Sequence, residues 1–341
     1  MHVVTDQIDN FDLKGISIHV VDTLKGTNSR KISQVIDSIH PDAIVVDVNP
    51  LSLVTASWYR RIGRCRMIAY ISYPFYSKKE IVTALPHIMM KEKYEFGRHI
   101  LVPRYLWAGR MVKFFDAVIC QSAVTGKSIT KQTHSKIPVH VIPPGIDKER
   151  WTATGAMNQD RSKNLFLYTG AATAIRGFSV VLDAIALLSD TDIKLRVLAR
   201  GSNQTSLKAI ESEVIRRNIQ NKVSIKGGLL TIEELKREIL NSTAVLLPFV
   251  LVPSELPVTV MESIACGTPV IVSSINGLSE AAGDAGVAVP PGDPFRLATE
   301  IKDLYLQNKR IKDMRAACPK QAERMLSWNS VSDRWLKAIE A

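Results

Sequence analysis

Short runs of consecutive apolar residues, rich in β-branched side chains, recur along this chain, and a stretch with helical spacing follows each. In the first half the runs are Ile18–Val21, Ala43–Asp47, Met67–Ile71, Ala117–Cys120 and Val139–Ile142. In the second half they are Leu165–Tyr168, Lys194–Leu198, Val223–Ile225, Ala244–Leu247, Pro269–Val272 and Gly286–Val289. Continuous apolar runs, as opposed to alternating ones, predict strands buried on both faces, as in parallel sheets covered by helices. Their spacing of about 20–30 residues leaves room for a crossover helix between successive parallel strands.

The predicted helices carry their own signals. Arg30–Ile39 places Ile32, Val35, Ile36 and Ile39 on one face, and Phe178–Leu188 does the same with Val181, Leu182, Ile185 and Leu188. Thr231-Ile-Glu-Glu234 is a capping box opening a helix through about Leu240. Asp293 followed by Pro294 marks the start of a helix through Gln307. Between the halves, Pro143-Pro-Gly-Ile-Asp147 and the polar stretch Thr152–Asn164 read as a linker. The expected organisation is therefore two parallel α/β domains, 1–155 and 156–326, followed by a terminal helix over 327–341 that returns toward the first domain. Ligands of such sheets bind at the carboxyl ends of the strands, so the cleft between the domains is the expected site.

Composition adds little to this picture, but charge does. The chain of 341 residues is 46% hydrophobic and 23% charged, which excludes disordered, collagenous and coiled-coil classes. Its net charge of +11 is concentrated between Arg60 and Lys113, where twelve Lys and Arg face three Glu. Trp58, Tyr59, Tyr73, Phe75, Tyr76, Phe96, Tyr105 and Trp107 are interleaved with them or just precede them. The mixture suits an anionic surface such as lipid headgroups, and equally a solvated basic face over core aromatics. No RNA- or DNA-binding motif accompanies it. Four scattered cysteines, Cys65, Cys120, Cys266 and Cys318, predict neither a zinc ribbon nor a disulfide framework. The longest apolar run, Ala244–Pro253, is too short to span a bilayer, and the first residues lack the pattern of a signal peptide. A cytoplasmic protein is expected, peripheral on the inner face of the membrane if the basic segment meets lipid.

The richest segment for chemistry is 253–272. Pro257 reads as the residue opening a helix over Val258–Cys266, Gly267 as its end and Pro269 as the start of a strand. Free N–H groups at such a helix start can hold a phosphate. Glu255 and Glu262 beside it either accept hydrogen bonds from sugar hydroxyls or are ordinary acids near a helix end; the residues alone leave both readings open. No Gly-x-Gly-x-x-Gly follows the first strand, which disfavours a nicotinamide dehydrogenase.

As a whole the segment resembles the donor-site signature of retaining GT-B glycosyltransferases of family 4, the glycosyl transferases group 1. Met261-Glu262-Ser-Ile-Ala-Cys-Gly267-Thr-Pro269-Val-Ile271 carries the match. Val141–Asp147, Leu167–Gly170 followed by Arg176-Gly177-Phe178, Val223–Gly227, Pro290–Pro294 and Ser327-Trp328 resemble further family segments in the family's order. The resemblance is strong over 141–341 and diffuse before it. It implies a GT-B fold, two Rossmann-like domains facing across a cleft. It implies transfer of a sugar from a nucleotide-diphosphate sugar to a glycan or lipid-linked acceptor with retention, with no cofactor beyond the nucleotide-sugar co-substrate and no metal required. It places Arg176 and Gly170 at the diphosphate, backbone N–H groups of Val258, Thr259 and Val260 on the phosphates, Glu262 on the ribose hydroxyls and Glu255 at the donor sugar.

Several residues depart from the family pattern. The two glutamates are one residue closer than in the signature, and Ser254 holds the strict register of the first. Ala171 stands where a second cation is expected, and Arg200, after another strand, is a substitute for it. The resemblance leads to the expectation of an N-terminal domain without the family's first β-α unit, since the sequence opens at what resembles the second strand. The usual histidine after a strand of the first domain is replaced by Ser72-Tyr73-Pro74, and His87, His99, His134 and His140 read as surface residues. A catalytically weak GT-B-like subunit that binds a partner or a membrane is the alternative function. A nucleotide-sugar epimerase or phosphorylase on the same architecture is a third.

Overall fold

A computed structural model describes residues 2–5, 17–20, 29–56, 65–90, 93, 96–97, 101–152, 162–252 and 254–341. Twelve strands are described. In the first half these are β1 (His2–Thr5), β2 (Ser17–Val20), β3 (Ala43–Asp47), β4 (Arg66–Ile71), β5 (Ala117–Cys120) and β6 (Val139–Val141). The second half holds β7 (Leu165–Gly170), β8 (Lys194–Arg200), β9 (Val223–Gly228), β10 (Val245–Leu247), β11 (Val270–Ser273) and β12 (Gly286–Val289). They pair as a β1-β2 ribbon, a sheet in the order β3-β4-β5-β6, and a sheet in the order β12-β11-β10-β7-β8-β9. All pairs are parallel. Each strand expected from an apolar run is present to within a few residues.

The continuous runs exist because both faces of each sheet are covered. In the second half, Phe166, Tyr168, Leu246 and Ile271 point to one apolar layer, while Leu167, Val245, Leu247, Val270 and Val272 point to the other. In the first half, Met67, Ala69, Ile71, Val118 and Cys120 face one layer. Ile68, Ala117 and Ile119 face the opposite one, with Tyr70 packed against it. A fully enclosed side chain of this kind contributes roughly 1.5–3 kcal/mol relative to exposure. The layer over Ile68 and Ile119 is completed by the last helix, Trp328–Glu340, through Val331, Ala338, Trp335 and Ile339.

The order of the larger sheet places its site. From central β7 the chain runs outward through β8 and β9, then returns to the other flank of β7 for β10, β11 and β12. The direction reverses between β7 and β10, and the crevice at the carboxyl ends of those two strands is where such sheets bind ligands. Two helices start nearby, Phe178–Ala186 after β7 and Val258–Ala265 after β10.

The crossing between the halves comes earlier than the sequence suggests. Ile146 and Trp151, assigned to the first domain by a boundary at 155, lie in the core of the second half with Leu167, Met261 and Cys266. Their burial outweighs the polarity of the stretch that follows, so the crossing lies at Pro143–Gly145. There a Cβ on Gly145 would sit 2.9 Å from the backbone nitrogen of Trp328, which leaves room only for glycine.

Candidate functional site

Arg176 follows β7 on a turn whose N–H groups fold back on Thr173 and Ala174. The next residue, Gly177, has φ +72, and a Cβ there would fall 1.9 Å from the carbonyl oxygen of Pro248 after β10. Only glycine permits that approach, and it draws the turn bearing Arg176 onto the segment after β10. The Arg176 guanidinium lies over the Phe249 ring at 6.0 Å. Its Nη1 would be 3.3 Å from a Cβ on Gly170, so Arg176 and Gly170 share the mouth of the crevice. Burial pushes the Tyr168 hydroxyl well above the usual phenol range, and the positive charge of Arg176 works against that shift. Among the described residues Arg176 forms no ion pair, so its charge is uncommitted.

On the other flank, Pro257 occupies the cap position of the Val258–Ala265 helix, with no side chain bonded to the helix start. The opening N–H groups, at Val258 and Thr259, therefore lack a side-chain acceptor there. Glu262 lies in this helix and is half-buried. Burial raises its pKa, and Arg200, exposed at the end of β8, lowers it. The Arg200 charge is thus felt at Glu262. Gly170, Arg176, Arg200, Glu262 and the start of the Val258 helix all stand on segments that leave the carboxyl ends of neighbouring strands.

Glu255 stands elsewhere. It is fully buried, and its carboxylate faces the first half. One oxygen accepts from Gln121 N at 2.7 Å, and the other from Ser122 N at 2.8 Å and Ser122 Oγ at 2.6 Å. Burial raises its pKa, opposed by these donors and by Thr125. In this arrangement those oxygens are taken up by donors of the first half, away from the donor-sugar place expected from the resemblance. Ser254, at the strict register, is half-buried.

Sequence reasoning missed four features. Phe249 as the platform under Arg176 has no motif. The Gln121 and Ser122 amides become visible only when β5 is seen to end opposite Glu255. Asp47, at the end of β3, accepts from Ser72 Oγ at 2.8 Å, and burial raises its pKa against that hydrogen bond. His87 is not a plain surface residue: its ring packs on Gly292, where a Cβ would lie 2.7 Å from Nε2. His134 is exposed, His140 is half-buried on β6, and His99 lies outside the described residues.

In the basic segment the described aromatics follow the second of the two readings, core rings beneath a basic face. Phe96 and Trp107 are buried. Tyr73, Tyr76 and Phe96 pack on one another, as do Phe75 and Trp107. Trp58 and Tyr59 lie outside the described residues, which leaves Tyr105 as the exposed aromatic of the group among those described. The exposed apolar side chains there are mainly aliphatic and thioether: Val82, Met89, Met90, Leu101 and Leu106. No described helix is long and apolar enough to cross a membrane. Among the described residues no three His, Cys, Asp or Glu gather as a metal site.

Comparison with known proteins accords with this geometry. Residues 163–307 match the family described as glycosyl transferases group 1. The chain is 25% identical over 254 residues to a D-inositol 3-phosphate glycosyltransferase of Segniliparus rotundus, covering 70% of this chain and 55% of that relative. The chain thus spans about half the length of that protein. It is 23% identical to an uncharacterised glycosyltransferase of Methanocaldococcus jannaschii, covering 96% of this chain and 86% of the relative. Among solved structures, sucrose-phosphate synthase from Thermosynechococcus elongatus superposes with a TM-score of 0.72 at 16% identity, covering 96% of this chain and 81% of that one. Anabaena HepE in complex with UDP superposes at 0.68 and 15% identity, covering 95% and 86%. The chain has the two-domain GT-B fold.

Proposed function

We propose that the protein is a retaining glycosyltransferase that takes a sugar from a nucleotide-diphosphate sugar and passes it to a glycan or lipid-linked acceptor. The observation that carries the reading is the uncommitted Arg176 guanidinium held against Gly170 beside the uncapped start of the Val258 helix. As the sugar leaves, negative charge grows on the diphosphate. A fixed cation and fixed N–H groups stabilise that charge more than they stabilise the intact donor. Arg176 offers a planar fork to two phosphate oxygens. The N–H groups of Val258 and Thr259 meet the phosphates from the helix start, with the helix dipole behind them; Val260 N, expected to join them, donates instead to Pro257 O at 3.1 Å. Glu262 accepts from both ribose hydroxyls, and the Arg200 charge favours its ionised form against the burial that raises its pKa. The reading uses no metal, since Arg176 supplies the positive charge. The acceptor enters against the carboxyl ends of β3 and β4, where Asp47 and Ser72 present polar atoms. Retention and family 4 membership rest on the sequence signature around Glu262.

The partner surface belongs to the same reading. Lys78, Lys79 and Arg104 lie in the stretch that exposes Val82, Met89, Met90, Leu101 and Tyr105. Cationic and apolar side chains on one stretch suit an anionic membrane face from which a lipid-linked acceptor is drawn. A cytoplasmic enzyme working at the inner face of the membrane follows from that. Calorimetric titration with UDP, GDP and ADP tests the donor site; no binding of any of the three refutes it. A catalytically weak subunit is the second reading, favoured by Ala171 at the place of a second cation and by the enclosure of Glu255. Release of free nucleoside diphosphate from a donor sugar separates the two.

A further inference from the structure

The carboxylate that the sequence signature points toward the donor sugar is spent on the other half of the molecule. Glu255 is fully buried, and its two oxygens take hydrogen bonds from Gln121 N, Ser122 N and Ser122 Oγ, with the Thr125 side chain a further donor. Ser122 is the cap residue of the Ala123–Gln132 helix, whose Thr125 N–H it accepts at 3.2 Å. A carboxylate from the second half therefore sits at the N-terminus of a helix of the first half, where N–H groups and the helix dipole favour a negative charge. The backbone around it is bonded across the same junction. Glu255 N donates to Ser72 O at 2.8 Å, and Leu256 N donates to Gln121 Oε1 at 3.1 Å. Gln121 is held in turn through Nε2 on the Tyr70 hydroxyl. A Cβ on Gly277 would lie 2.6 Å from Ser122 Cβ, so Ser122 is also in close contact with a second loop of that half. Two residues after Glu255, Pro257 opens the Val258–Ala265 helix.

We infer that Glu255 is an interdomain clasp: a positioning residue that locks the loop after β10 onto the Gln121–Ser122 helix start, closing the cleft and fixing the angle at which the Val258 helix meets the donor phosphates. This goes beyond the donor-site reading and does not depend on which nucleotide binds, because it is read from contacts between the halves. Replacing the carboxylate by an amide leaves the Gln121, Ser122 and Thr125 donors facing a group with one acceptor oxygen. Removing the Ser122 hydroxyl takes away its bond of 2.6 Å and leaves the two N–H donors and Thr125.

The test is small-angle X-ray scattering of the full chain as wild type, Glu255→Gln and Ser122→Ala, with circular dichroism to confirm folding. Thr231→Ala removes a helix cap away from the junction and controls for the loss of a cap alone. Glu255→Gln and Ser122→Ala are expected to increase the radius of gyration of the unliganded protein, and Thr231→Ala to leave it unchanged. Should Glu255→Gln fail to fold, Ser122→Ala carries the test by itself. A wild-type radius in the folded variants overturns the clasp. So does a wild-type radius together with a loss by Glu255→Gln of UDP-glucose affinity relative to UDP, which would return Glu255 to the donor sugar. Absence of UDP binding in the wild type would instead count against the donor site and leave the scattering result to stand.

Discussion

Arg176→Ala removes the positive group that the fold holds against Gly170 at the mouth of the β7–β10 crevice. Within the protein its contacts are slight: the guanidinium stands 6.0 Å from the Phe249 ring centroid, a contact worth about 0.5–1 kcal/mol. The unliganded variant should therefore unfold close to the wild type. Toward a diphosphate the loss is larger, since a charge-assisted hydrogen bond contributes about 1.5–3 kcal/mol. That corresponds to a dissociation constant roughly 10 to 100 times weaker. In a thermal-shift or denaturant titration at a nucleotide concentration of 100 times the wild-type constant, ligand adds about 2.7 kcal/mol to the wild type. The same concentration is then only about 1 to 10 times the variant's constant, and the gain falls to about 0.4–1.4 kcal/mol. Arg176→Lys keeps the charge without the fork and should lie between. A variant stabilised by nucleotide as strongly as the wild type would refute the assignment of Arg176 to the diphosphate.

Glu262 gives a pH test. Burial raises its pKa, so the hydrogen-bond-accepting form is lost as pH falls through a value above that of an ordinary glutamate; nucleotide affinity measured by calorimetry should weaken there. Arg200→Ala removes the opposing charge and should move the midpoint to higher pH, while Glu262→Gln should bind weakly with no such midpoint. The basic stretch around Val82, Met89 and Leu101 should bring the protein down with anionic but not neutral liposomes at low ionic strength, each basic contact contributing about 1 kcal/mol; equal recovery in both supernatants would remove the membrane. Gly145→Ala should destabilise the fold by about 1–3 kcal/mol in denaturant titration, because its Cβ meets the Trp328 backbone at 2.9 Å; a neutral effect would show that the last helix can shift freely.

The fold was largely legible in the sequence, for a physical reason. Strands such as Ala117–Cys120 and Val270–Ser273 are buried on both faces, so they must be apolar at every position. Helix starts at Thr231 and Asp293 carry their own side-chain acceptors, and both are seen in place. Arg176 and Glu262 were legible because they lie inside a long local pattern. The enclosure of Glu255 was not, because its partners are 133 and 134 residues away, and which half a loop side chain turns toward is settled by distant packing. The same holds for Trp151, whose polar neighbours in sequence say nothing of the apolar layer it joins. For Tyr73, Phe96 and Trp107 the sequence left two readings open for the converse reason: a basic neighbourhood in sequence does not make an aromatic ring exposed.

The Trp328–Glu340 helix completes the apolar layer of a sheet whose strands were laid down some two hundred residues earlier. During synthesis at about 5–20 residues per second, roughly 10–40 s pass between the emergence of β6 and that of this helix. For that interval Ile68, Ala117 and Ile119 have no cover, while the second sheet has all its strands and can close first. The order of maturation would then run against the order of translation, and the N-terminal half would be the part that a chaperone must guard longest. Premature termination near residue 327 would leave the donor half well formed and the other half open to aggregation.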